Sequence, residues 1–213
     1  MGPMREVPLR VTVIDPYGVR GGAERWLLEL LDVAEGLEPR VIMLREGPLR
    51  DDYARRGIPT AVLTTGPSAG AIARAGLRLP RALRAHAPDV LLANGVKAAA
   101  VAAVARRRSA TPTVWAKHDF SHDRRLGRLL ARRVDLVVGT SRAVVESIGL
   151  PDAPVLAPPR PSVRPADRAG AAEHWRDLGV DVTTGPTAAV VGRLTPYKRV
   201  EDAIRALAFG GCE

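Results

Sequence analysis

The sequence is poor in several things, and each shortage excludes something. It holds a single cysteine, Cys212, so no disulfide can form within its 213 residues, which fits a reducing compartment such as the cytoplasm. No apolar run reaches the roughly 18 residues that a membrane-spanning helix needs. The opening MGPMREVPLR also lacks the apolar segment of a secretion signal. The expectation is a cytoplasmic protein, attached at most to the inner face of a membrane. Aromatic residues make up 4% of the chain, so Ala, Val and Leu must fill the core. The same scarcity argues against single-stranded nucleic acid, which binds to basic faces interleaved with aromatics. Lysine is almost absent: of 32 basic residues only Lys97, Lys117 and Lys198 are lysines.

What is present is a net charge of +9 and an apolar content of 46%, enough for a sizeable core. The basic balance suits acidic partners such as phosphates or anionic lipid, although a general preference for Arg over Lys produces the same count. Short apolar runs, largely uninterrupted by charge, at 9–14, 40–44, 60–63, 90–93, 113–116 and 136–138 read as strands buried on both faces. Between them, helical patterns cover 23–34, 49–56, 71–86, 96–107, 121–132 and 142–148. Strict β-α alternation predicts an α/β fold, a Rossmann-like parallel sheet with helices on both faces, over residues 1–157. Residues 158–186 read as a Pro-rich linker with a short helix at 171–178, because proline fixes φ and removes backbone donors. Residues 187–213 read as one strand (188–191), a loop and a helix, the first unit of an incomplete second Rossmann-like domain.

Four stretches could carry chemistry. In DPYGVRGGAERWLLEL, Gly18, Gly21 and Gly22 offer a backbone free to adopt positive φ, ahead of helix N–H groups that favour an anion. The spacing matches neither the dinucleotide nor the Walker pattern, and a flexible βα turn is the plain alternative. In VWAKHDFSHD, His118 ends a strand at the carboxyl edge, where open α/β sheets bind ligands. His118, His122, Asp119 and Asp123 invite a metal reading, but they straddle a strand end and a loop with no third cluster, so no metal is expected. In LLANGVKAAAV, Asn94 and Lys97 reach the same edge, and in VVGTSRAVVE Thr140 and Ser141 do so, with capping alone able to explain Ser141. In VVGRLTPYKRVEDAIRAL, Arg193 and Lys198 converge by a helix start suited to a diphosphate. With Gly21 and Gly22 they suggest a phosphate-bearing ligand.

GGAERWLLEL, VWAKHD, GTSRAVVE and VVGRLTPYKRVEDAIRAL together resemble glycosyltransferase family 4, whose members have a two-domain GT-B fold. The resemblance covers the first domain and the start of the second. It implies transfer of a sugar from a nucleotide-sugar donor to a glycan, lipid or small-molecule acceptor, with retention of configuration and without a metal or other cofactor. It places Gly21 and Gly22 at the donor diphosphate or acceptor, His118 at the transferred sugar as the catalytic candidate, and Arg193 and Lys198 on the leaving diphosphate. Asn94, Lys97, Asp119 and Ser141 become acceptor-side or cleft candidates. The family's later helix, with two glutamates seven residues apart, has no counterpart before Glu213. The resemblance therefore implies a truncated transferase with little activity alone.

Two other classes remain open. A stand-alone Rossmann-like module binding a nucleotide or phosphate would need only the first domain; in a dinucleotide version, Glu46 would meet the ribose. A surface protein for anionic lipid would use Arg74, Arg78, Arg81 and Arg84 at helical spacing, with Ile72, Leu79 and Leu83 on other faces and Pro80 bending or splitting the helix. Combined with the transferase reading, this predicts peripheral contact with anionic membranes.

Overall fold

The computed structural model describes residues 7–84, 86–158, 167–182, 187–192 and 194–209. The chain divides into two compact units, Met1–Arg160 and Pro161–Glu213.

In the first unit the six apolar runs form β1 (Leu9–Asp15), β2 (Leu37–Met43), β3 (Thr60–Val62), β4 (Val90–Asn94), β5 (Thr113–Lys117) and β6 (Leu136–Gly139). All pair in parallel, in the order β3-β2-β1-β4-β5-β6. This is the Rossmann-like sheet expected from the alternation. The chain starts in the middle, lays β2 and β3 to one side and then crosses back to lay β4 to β6 on the other. At such a reversal the connections leave β1 and β4 in opposite directions, opening a crevice above their carboxyl ends.

Strand alternation feeds two cores. Val11 and Val13 of β1 point to one face, under Trp26 and Leu27 of α1 (Gly22–Val33) and Leu49 and Tyr53 of α2 (Leu49–Arg55). Ile14 points to the other, packed with Leu79 and Leu83 of α3 (Ala69–Leu83) and the alanine-rich α4 (Gly95–Ala105). Each such large aliphatic side chain contributes roughly 1.5–3 kcal/mol on full burial. Alanines on α4 let the helix lie close to β4 and β5, so scarce aromatics are no obstacle to a dense core.

In the first unit two elements depart from expectation. The helix expected over 121–132 is instead a loop, a π-helical turn (Asp123–Gly127) and the short α5 (Arg128–Ala131). The cause is Lys117: its buried ammonium binds the carbonyls of Asp119 and Ser121 at 2.6 and 3.3 Å, holding those residues in a turn. Secondly, α3 runs through Pro80 without splitting: the proline gives up one backbone bond, and the burial of Leu79 and Leu83 on either side of it holds the last turn in place. Leu79 and Leu83 lie in the core, leaving the arginines outside. The end of the first domain, up to residue 156, closes onto the last strand. Val155 bridges Gly139 at the end of β6, with bonds from Gly139 N–H to Pro154 and from Leu156 N–H to Gly139.

In the second unit, α7 (Arg168–Asp177) is capped by the Asp167 carboxylate on Gly170 N–H. A 3-10 turn (Pro196–Lys198) leads into α8 (Val200–Phe209). The strand expected at 188–191 does not form: residues 187–192 are non-repetitive, and Val191 is 97% exposed. A strand exists only through its ladder, and no partner strand is found in this unit among the described residues. Ile204 and Leu207 of α8 are likewise exposed.

Candidate active site

The carboxyl ends of β1, β4 and β5 open into a cavity of about 440 Å3. Its floor includes Asn94, Gly95 and His118, its walls Glu24 of α1 and Lys97 of α4, and its rim Tyr17, Asp119, His122 and Leu126. Gly95, at the junction of β4 and α4, has φ +83°, which lets α4 start immediately after the strand.

His118 is held from several sides. Its Nε2 lies 2.6 Å from Asn94 Oδ1. The Trp26 ring meets its imidazole edge-on with centroids 4.9 Å apart, and Thr140 Oγ1–H donates to its backbone carbonyl at 3.2 Å. Asn94, entirely buried, leaves Nδ2 with no acceptor at full bonding geometry. Burial pushes His118 down to about 4, with Lys117 reinforcing and Asp119 opposing, so the imidazole is neutral near pH 7.

Behind Asn94 sits Asp15, fully buried at the end of β1. Burial raises its carboxyl to about 7; Glu24 pushes the same way, while bonds from Tyr53 and the Tyr17 N–H, and the Asn94 amide, favour ionisation. The Tyr53 hydroxyl donates to Asp15 Oδ2 at 2.5 Å, and burial beside this carboxylate raises the tyrosine's pKa. Lys97 donates to the Thr65 carbonyl at 3.1 Å, and burial, with repulsion from Arg45, lowers its pKa. The cavity thus offers an uncharged imidazole, a buried amide, a partly desolvated ammonium and carboxylates between apolar walls, a set suited to hydroxyl-rich ligands.

Asn94, Lys97, His118 and Asp119 line this one cavity. The glycine loop is arranged differently from expectation. Gly21 is the N-cap of α1 at φ −130°, and neither it nor Gly22 has positive φ. Both occupy backbone any residue adopts, because α1 starts directly from an extended entry. Gly21 lines a separate hollow of about 650 Å3 with Arg20, Arg25, Asp52, Arg55 and Arg56. Gly18 answers to packing: a Cβ there would stand 2.5 Å from the Glu46 carbonyl oxygen. Glu46 itself pairs with Arg50 at 3.0 Å. Ser141 caps α6 (Arg142–Glu146) by accepting from Val144 N–H at 3.4 Å. Lys198 is exposed in the second unit, and Arg193 lies outside the described residues. Among the described residues no three His, Cys, Asp or Glu side chains gather as a metal would require, and no helix is long and apolar enough to cross a membrane.

Sequence reasoning passed over Asp15, Tyr53, Glu24, Trp26 and the anchoring role of Lys117. Two signals were visible: Asp15 ends an apolar strand with a carboxylate, and Lys117 is one of three lysines and follows TVWA. Tyr53 and Glu24 carry no local signal, since only the packing of α1 and α2 brings them to Asp15.

The sequence model of glycosyltransferase family 4 matches residues 20–151. Among solved structures, Anabaena HepE in complex with UDP-glucose aligns with a TM-score of 0.74 at 22% identity, covering 94% of this chain and 57% of HepE. A glycosyltransferase from Rickettsia africae aligns at 0.61 and 13% identity, over 86% of this chain and 54% of the other. The lipopolysaccharide outer core galactosyltransferase WaaB, in its apo form, aligns at 0.53 and 14%, over 66% and 42%. This chain therefore spans little more than half the length of HepE. These likenesses show the fold, and no curated protein sequence matches.

Proposed function

The chain belongs to glycosyltransferase family 4, and from that premise we propose that its first unit is the acceptor-side half of a retaining transferase that uses a nucleotide-sugar donor. The observation that carries the reading is His118: a neutral imidazole on the carboxyl edge of the sheet, bonded to Asn94 in a cavity at the strand reversal. A neutral imidazole can exchange hydrogen bonds with sugar hydroxyls without adding charge. Breaking the sugar–phosphate bond builds negative charge on the departing diphosphate. Lys198 and Arg193 of the second unit are the cations assigned to that charge, with Gly21 and Gly22 beside the donor or acceptor. On this reading the cations take the place of a metal. HepE, crystallised with UDP-glucose, supports a uridine diphosphate sugar as the first donor to test.

The acceptor presents hydroxyls to Asn94, Lys97 and Asp119. Contact with anionic membranes is assigned to Arg74, Arg78, Arg81 and Arg84 along α3, the last three of which share a hollow with Leu77 and Arg108. Such a contact would suit a lipid-linked acceptor.

The experiment joins the chain to the donor domain of a HepE-like relative and follows transfer from UDP-sugars to a panel of glycans and glycolipids. His118→Ala should cut turnover about a hundredfold or more, a larger loss than its effect on the urea midpoint. Equal loss of turnover and fold would make His118 a structural residue. A stand-alone nucleotide-binding module would instead bind UDP by calorimetry with no transfer under any pairing.

A further inference from the structure

We propose that Asn94 is a positioning residue that fixes His118 in its Nε2–H tautomer, and that Asp15, braced by Tyr53, decides which way the Asn94 amide points. The inference rests on the proposed cavity for its catalytic meaning, while its structural content stands apart.

The sheet register creates the arrangement. Ile14 pairs with Ala93 and Asn94 with Ala116, so Asp15 and Asn94 end neighbouring strands, two residues short of His118 on the third. Asp15 accepts from Tyr53 through Oδ2 at 2.5 Å and from Tyr17 N–H through Oδ1 at 3.5 Å. The Asn94 amide favours the ionised form of Asp15, as a donor end turned toward a carboxylate does. An amide side chain has one donor end and one acceptor end. With the NH2 end toward Asp15, the carbonyl is left for His118, whose Nε2 stands 2.6 Å away.

A carbonyl oxygen can only accept, so Nε2 carries the imidazole proton and Nδ1 keeps the lone pair. Asn94 Nδ2 meets no acceptor at full bonding geometry, so the pull of Asp15 on the donor end of the amide is what orients it. A buried amide donor left in that state is uncommon in folded proteins. The outcome is a histidine that offers a sugar hydroxyl an acceptor at Nδ1 and is held neutral by burial.

The test is the imidazole nitrogen spectrum of the full 213-residue chain by long-range proton–nitrogen NMR, near pH 8, with His118 distinguished from the other three histidines by substitution. Wild type should show a single neutral tautomer with the proton on Nε2; the proton on Nδ1 would overturn the proposal. In Asp15→Asn the new amide keeps an oxygen for Tyr53 and turns its NH2 toward Asn94. Asn94 then turns over, and His118 should switch to the Nδ1–H tautomer while remaining neutral. A folded Asp15→Asn that keeps Nε2–H would also overturn it. Should Asp15→Asn fail to fold, Asn94→Ala replaces it, with the single tautomer giving way to an averaged pair of signals; an unchanged Nε2–H pattern refutes the role of Asn94. A purely structural Asn94 leaves the tautomer alone in both variants. The readout needs no sugar transfer, so failure of the transferase reading and failure of this one are distinguishable.

Discussion

Asp15 and His118 make opposite demands on pH, and the balance between them can be measured. Asp15 is raised from 3.8 to about 7 by burial. From the lower value to the higher, the unfolded chain gives up a proton that the folded chain keeps, so stability falls as pH rises. At about 1.4 kcal/mol per pH unit, Asp15 costs about 2.5 kcal/mol between about pH 5 and pH 8. His118 is lowered from 6.5 to about 4. Below the upper value the unfolded chain takes up a proton that the fold refuses, so stability falls as pH drops, by about 2 kcal/mol from about pH 6.5 to pH 5. In wild type these slopes nearly cancel across the window. Asp15→Asn removes one of them, and its stability should rise by about 2 kcal/mol from about pH 5 to pH 8. His118→Asn removes the other, and its stability should fall by about 2.5 kcal/mol over the same range. Asp32, Asp52 and Asp135 are held below the usual carboxylate range by Arg56, Arg20 and Arg106, so they stay ionised throughout. His86, lowered by burial, contributes equally to all three proteins. Urea unfolding reads the result: with a slope of roughly 2 kcal/mol/M, the midpoints of the two variants should move in opposite directions by about 1 M. Parallel pH profiles for the three proteins would refute the assignment of these buried groups.

Four further outcomes follow from packing and hydrogen bonding. Gly18→Ala drives a Cβ to within 2.5 Å of the Glu46 carbonyl and should cost about 3 kcal/mol. Gly95→Ala meets no atom within 4 Å and is penalised only for φ +83°, about 1–2 kcal/mol, so thermal melts should rank it as the milder change. Trp26→Phe deletes the Nε1–H bond to the Leu156 carbonyl, 3.3 Å long, and should cost about 1–2 kcal/mol; limited proteolysis should cut faster after Ala153, and an unchanged rate counts against this anchor. Lys117→Met leaves the Asp119 and Ser121 carbonyls without their donor, costing about 1–3 kcal/mol, with hydrogen exchange rising in the loop after β5.

The parallel sheet was legible because the middle of a strand buried on both faces must be almost wholly apolar, and short runs with charge confined to their ends, such as LRVTVID and VLLAN, meet that condition. His118, Asn94 and Lys97 were legible for a related reason. The first polar residues after such a run necessarily sit at the carboxyl edge. Gly18 was misjudged because a glycine's letter does not say whether it serves φ or close approach, and the Glu46 backbone that explains it is 28 residues away. The strand expected at 188–191 failed because a continuous apolar run supplies surface to bury but no ladder to bury it against.

The sequence by itself determined the element order, the sheet and the edge on which polar groups collect, since local patterning and burial act through nearest neighbours. Tertiary structure alone decided what those groups are. The crossing from β3 to β4 sets Asp15 beside Asn94, and α1 and α2 carry Glu24, Trp26 and Tyr53 over that edge. Their proximity removes water, and removing water turns an ordinary aspartate into an acid titrating near 7 and an ordinary histidine into a neutral one. Desolvation depends on what surrounds a group in space, and residues 24, 53, 94 and 118 meet only once the chain has folded.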